Sequence, residues 1–77
     1  MYSIIKQADG TYLCECVIQD GTERWTKATL EDAIQSLKEA GKALNGWDKV
    51  RKKDISYYVL EQVVETKRVE VKRKEMG

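Results

Sequence analysis

The chain has 77 residues, 42% hydrophobic and 35% charged, with a formal net charge of +1. That length allows one small domain with a marginal core, for which dimerisation is a common source of extra burial, and the composition is that of a folded chain, not a disordered one. The near-neutral balance gives no global electrostatic case for nucleic acid, and no run approaches the roughly 20 apolar residues of a membrane span.

The first third reads as a β-meander. Tyr2 to Lys6 is a short apolar stretch stopped by Ala8-Asp9-Gly10-Thr11, and Tyr12 to Ile18 is a second strand. Gln19-Asp20-Gly21-Thr22 repeats the Asp-Gly turn signal before a third strand, Glu23 to Lys27. Alternation in the second strand places Tyr12, Cys14, Cys16 and Ile18 on one face, the expected core face, and Leu13, Glu15 and Val17 on the other.

Residues 29–45 read as a helix. Thr29 with Asp32 three positions on resembles a capping box, and Glu31 and Asp32 sit where the helix dipole favours negative charge. Leu30, Ala33, Ile34, Leu37, Ala40 and Leu44 fall on one stripe, which is expected to pack on the sheet. Asn45-Gly46 is the expected stop, with Trp47 folding back on the apolar end as in a Schellman cap; Gly41 is an alternative end.

After a polar connection, Asp48 to Asp54, comes Ile55 to Lys74, a segment without glycine, proline or asparagine. Its β-branched residues and the Tyr57-Tyr58 pair favour one long strand. A single strand of that length spans about 65 Å, against about 30 Å for the diameter of a compact chain of this size. Such a strand must overhang, bend or pair with another chain. A helix, with Ile55, Val59, Val63 and Thr66 on one face, and a hairpin turning near Thr66-Lys67 stay open as alternatives. The expected fold is therefore α+β: a single domain over residues 1–77, ordered β-β-β-α-β, with an antiparallel meander, one helix packed on the sheet and a long C-terminal strand. Residues 65–77 form an extended arm or a frayed tail in that reading.

Little in the chain points to catalysis. There is no histidine, which removes the commonest general base and most metal sites. Ser3, Ser36 and Ser56 have no base at a recognisable spacing, and the glycines form no phosphate-binding loop. No catalytic residue, metal or cofactor is expected. Cys14 and Cys16 fall on one side of a strand, where two thiols could ligate a soft metal, but a zinc site needs two more ligands, so both are expected as core residues.

Binding offers more candidates. Trp25, Trp47, Tyr57, Tyr58, Val59 and Val63 are the expected protein-binding residues, since Trp and Tyr dominate interface hot spots. Lys49, Arg51, Lys52 and Lys53 form the densest basic cluster and are the candidate nucleic-acid contacts, with Lys72-Arg73-Lys74 a second cluster. Asp48 and Asp54 flank the first cluster and Glu70 and Glu75 the second, which favours plain solvation. Residues 1–48 hold five basic and eight acidic side chains and residues 49–77 nine and five, so the two parts differ as −3 against +4.

Asp9-Gly10-Thr11-Tyr12 and Thr29-Leu30-Glu31-Asp32-Ala33, with strands between them, give residues 1–45 a layout that resembles the N-terminal domain of HicB-type antitoxins. The small size, the Gly21-to-Trp25 spacing and the lysine-rich end are also similar to short bacteriophage and prophage proteins. These resemblances imply a non-enzymatic protein that binds a host or phage protein as an inhibitor or regulator, or an antitoxin-like, nucleic-acid-binding one. The expectation is thus a cytoplasmic interaction module, a homodimer that binds an unidentified protein partner by β-augmentation at a sheet edge. A nucleic-acid-binding regulator is the alternative, and no membrane contact is expected.

Overall fold

The computed structural model describes residues 1–63 and 68–76, except for the side chains of 62 and 63. Two Asp-Gly turns fold the first third. Asp9 Oδ1 accepts from the Thr11 backbone N–H at 2.9 Å and from its hydroxyl at 2.6 Å, which holds the Asp9 carboxyl below its usual range. Gly10 completes the reversal at φ +90°, where a side chain would strain the backbone. The second reversal takes only Gln19 and Asp20, so β3 begins at Gly21, before the expected Glu23. The turns join β1 (Tyr2–Lys6), β2 (Tyr12–Ile18) and β3 (Gly21–Lys27) into an antiparallel meander.

The helix α1 spans Leu30–Leu44. Thr29 caps it, its hydroxyl accepting from the Asp32 N–H at 3.2 Å. Gly41 does not end it. A Cβ there would lie 2.5 Å from Val50 Cγ2 and 3.0 Å from the Asp48 carbonyl oxygen, so the glycine lets the connection cross tightly over the last turns. The Trp47 N–H bonds the Lys42 carbonyl at 3.2 Å, with Gly46 left-handed at φ +59°, which is the outer bond of a Schellman cap. The indole does not fold back as expected: Trp47 is 87% exposed. Leu44, assigned to the core stripe, is also exposed. Val50 is the buried residue that packs over the last turns of the helix, at Gly41.

A short 3-10 turn, Lys52–Asp54, leads into β4 (Ile55–Val63), which inserts beside β1 in parallel; β5 (Arg68–Lys74) then pairs antiparallel with β4. The sheet order is β3-β2-β1-β4-β5. The C-terminal segment is thus the hairpin among the three alternatives, and residues 64–67, which hold the expected turn at Thr66-Lys67, lie outside the described residues. The charged half with no apparent partner pairs back on the same chain. The long overhang that motivated pairing with a second molecule is gone.

The core lies between α1 and one face of the meander. Tyr2, Ile4, Cys14, Cys16, Ala33, Ile34, Leu37, Val50 and Ile55 are buried, so the expected core face of β2 is the observed one. Helix packing falls chiefly on β2, with less on β3 and β1. β1 pairs with Ile55–Val59 only, so Leu60–Val63 and Arg68–Val71 continue beyond it as a two-stranded arm. The radius of gyration is 13.2 Å, above the about 11.5 Å of a compact chain of this length.

Candidate binding surfaces

Strand alternation gives the sheet two unlike faces. The helix side takes Trp25, Cys14, Ile4 and Tyr57 in one row across four strands. One position along, on the side without a helix, Thr26, Leu13, Ile5, Tyr58 and Arg73 form a row across all five. Leu60 and Val71 face each other in the next row, and Val69 lies beyond Val71. Leu13, Ile5, Tyr58, Leu60, Val71 and Val69 therefore make a continuous apolar stripe. Val69 and Val71 are each 55% exposed, and the rest are half-buried. Glu15 and Arg24, paired at 3.0 Å, border the stripe.

Tyr57 and Tyr58 thus face opposite sides, as their adjacency on a strand requires. Tyr57 packs against the core, and burial pushes its phenol above the usual range. Val59 shares the Tyr57 side, between Lys6 and Lys72. Val63 pairs with Arg68 at the far end of β4, and its side chain is outside the described residues. Trp25 is spent inside the domain. Its Nε1–H donates to Ser36 Oγ at 2.8 Å, and that hydroxyl donates to the Ala33 carbonyl at 2.7 Å, pinning β3 to α1. The aromatic and aliphatic candidates do not form one surface. Nor is the Tyr57–Val59 backbone free for β-augmentation, because β1 and β5 flank it on both sides. The free edges are β3 and β5, and β5 carries Arg68, Lys72, Arg73 and Lys74, charges of the kind that blunt edge pairing.

The basic residues converge more than their sequence suggests. The 49–53 connection sends its cations two ways. Lys49 and Arg51 line a groove of about 380 Å³ with Lys38, Lys42 and Trp47, floored by Val50. Lys52 and Lys53 line another, of about 420 Å³, with Arg73 and Lys74, floored by Ile55 and Met76 and bordered by Glu75. The acids flanking the first cluster are engaged locally. Asp48 Oδ2 accepts from the Tyr2 hydroxyl at 2.9 Å. Asp54 accepts from the Arg51 backbone N–H at 3.0 Å, the main reason that its carboxyl is held low, and lies 3.5 Å from the Arg51 guanidinium. Lys38 and Lys42 were missed as site residues. Their signal was present, since residues four apart on a helix share a face, but only the folded connection brings Lys49 and Arg51 beside them.

Cys14 and Cys16 are free and fully buried, and burial raises both thiols above their usual range. Asn45 Nδ2 donates to the Tyr2 hydroxyl at 2.8 Å and reaches Cys16 Sγ at 3.6 Å, so the group closes the helix C-terminus onto β1 and β2. Among the described residues no cluster of three or more His, Cys, Asp and Glu is placed to hold a metal, and no helix is long and apolar enough to cross a membrane. Comparisons with family models, curated proteins and solved structures give no match.

Proposed function

We propose that the protein is a non-enzymatic interaction module that works by docking protein on the helix-free face of its sheet, and that a second copy of the chain occupies this face. The observation that carries the reading is the apolar stripe of Leu13, Ile5, Tyr58, Leu60, Val71 and Val69, which crosses four strands and has no layer above it among the described residues. A sheet that is apolar on both faces needs two covering layers. One is α1; the chain has no second helix among the described residues.

Surface area points the same way. The chain exposes 5576 Å², whereas a monomer of this mass usually exposes about 4,800 Å². The surplus, roughly 800 Å², is about what each partner buries in a standard interface. Face-to-face packing of two such sheets gives an isologous dimer with a helix on each outer side, which uses the same patch twice and needs no special partner chemistry. Contact is therefore moved from the sheet edge, blunted by β5, to the sheet face.

Sedimentation equilibrium from micromolar to millimolar protein tests this, with Leu60→Lys as the comparison, because Leu60 lies on the stripe outside the helix-packed core. Wild type should sediment at twice the chain mass and Leu60→Lys at the chain mass, with the same far-UV circular dichroism. A wild-type monomer throughout that range, or a dimer that Leu60→Lys leaves intact, would overturn the reading.

A further inference from the structure

We propose that the groove between the C-terminal half of α1 and the 49–51 connection binds single-stranded nucleic acid, with Trp47 stacking on a base and Lys38, Lys42, Lys49 and Arg51 taking the phosphates. The proposal does not depend on the dimer: these residues belong to the helix and its exit, away from the open sheet face. Two independent observations meet at this groove.

The first is Trp47 itself. At 87% exposure it is the largest apolar side chain left in water, and it contributes nothing to the core. It also sits at φ +71°, a left-handed conformation that bulky residues rarely adopt and that glycine would adopt freely. Neither burial nor backbone preference accounts for an indole here. A ring held clear of the surface is what stacking requires.

The second is the sign of the surroundings. Four cations and no acid line the groove with Trp47. Lys38, Lys42 and Lys49 take part in no ion pair among the described residues. Asp48 is turned to Tyr2, and Asp54 is held at the Arg51 N–H and lies 3.5 Å from the Arg51 guanidinium, a pair that a phosphate at Arg51 would have to compete with. An acidic peptide satisfies the cations but has no use for the indole. Base stacking on an aromatic beside a cationic track is the recognition mode of single strands, and paired bases offer no free face to Trp47.

The test uses the full-length protein and fluorescein-labelled oligothymidylate and oligouridylate of about 16 nucleotides, within the range of single-strand site sizes, followed by anisotropy. Four neutralised phosphates give a log–log salt slope near −2.8, so affinity should fall about 50-fold between about 50 and about 200 mM salt. Trp47→Ala should weaken binding about tenfold and leave the slope unchanged, as loss of one stacked base does. The double variant Lys42→Ala/Lys49→Ala should flatten the slope by about 1.4. Binding of either oligomer with these responses carries the proposal, and the tighter one names DNA or RNA as the ligand. No binding at about 50 mM salt, unchanged affinity in Trp47→Ala, or equally tight binding of polyglutamate would each overturn it.

Discussion

The helix-covered part of the sheet and the β4–β5 arm follow the same alternation of side chains, yet they hold together in different ways. In the middle of β1 and β2 the alternation drives one face under α1: Tyr2, Ile4, Cys14 and Cys16 are all 7% exposed or less. In the arm the alternation separates two solvent-exposed faces. Val69 and Val71 point to the open side, while Glu61 points to the other and reaches back to Lys72 and Lys74 at the base of the arm, at 3.2 and 3.6 Å. Period two makes a strand in both places. Only a covering layer turns one of its faces into a core, so stability should be concentrated in the meander and helix, and the arm should open at much lower cost.

Leu37→Ala presses hardest on that contrast. Leu37 is fully buried beneath the sheet, and its truncation should cost about 2–5 kcal/mol, enough to remove much of the stability of so small a domain. Urea denaturation would measure it. In the arm, Arg68→Ala removes a 2.7 Å pair with Glu70 whose side chains are 67% and 35% exposed, and should cost under about 1 kcal/mol. Comparable losses at the two sites would mean that the arm is as much a part of the cooperative unit as the core.

Gly41→Ala asks whether the boundary between core and connection is a packed contact. In an open helix the change gains about 0.5–1 kcal/mol. Here the new methyl meets Val50 and the Asp48 carbonyl, so a net loss of about 1–3 kcal/mol is expected in the same denaturation experiment. A gain in stability would show that residues 48–50 move aside freely. The grooves on either side of the connection would then have no fixed wall.

The same contrast explains which parts of the fold were legible. Both meander turns carry Asp-Gly, and Thr29 with Asp32 marks the helix start, so β1 to α1 followed from local chemistry. The hairpin carries no such punctuation, since Ile55 to Lys74 lacks Gly, Pro, Asn and Asp, and a continuous strand read equally well. One signal was there. The Val69-Glu70-Val71 alternation gives the charged half an apolar side, with Val71 opposite Leu60 across the hairpin. The parallel entry of β4 beside β1 left no local trace, because it is fixed by the length of the crossover and by burial of Ile55. For the sites, sequence supplied the parts without their assembly. Lys49 to Lys53 read as one cluster, and the fold divides it between two grooves while bringing Lys38 and Lys42 in from the helix.

The smallest expected effect is electrostatic and confined to the arm. The Lys72 ammonium, bonded to Glu61, and the nearby Lys74 hold the Glu61 carboxyl below its ordinary value of 4.5. A carboxyl depressed on folding contributes stability that is fully present above its unfolded value and is lost as pH falls through the folded one. Backbone amide exchange at Leu60, Glu61 and Val71 should therefore quicken, after correction for the intrinsic rates, as pH drops below about 4.5. Amides of Ile4 and Cys14, which lie in the core, should keep their protection over the same interval. Glu61→Gln should remove the pH dependence from the arm and leave the core amides as they were. If the arm and core lose protection together, the two regions open as one unit, and the division drawn from their burial fails.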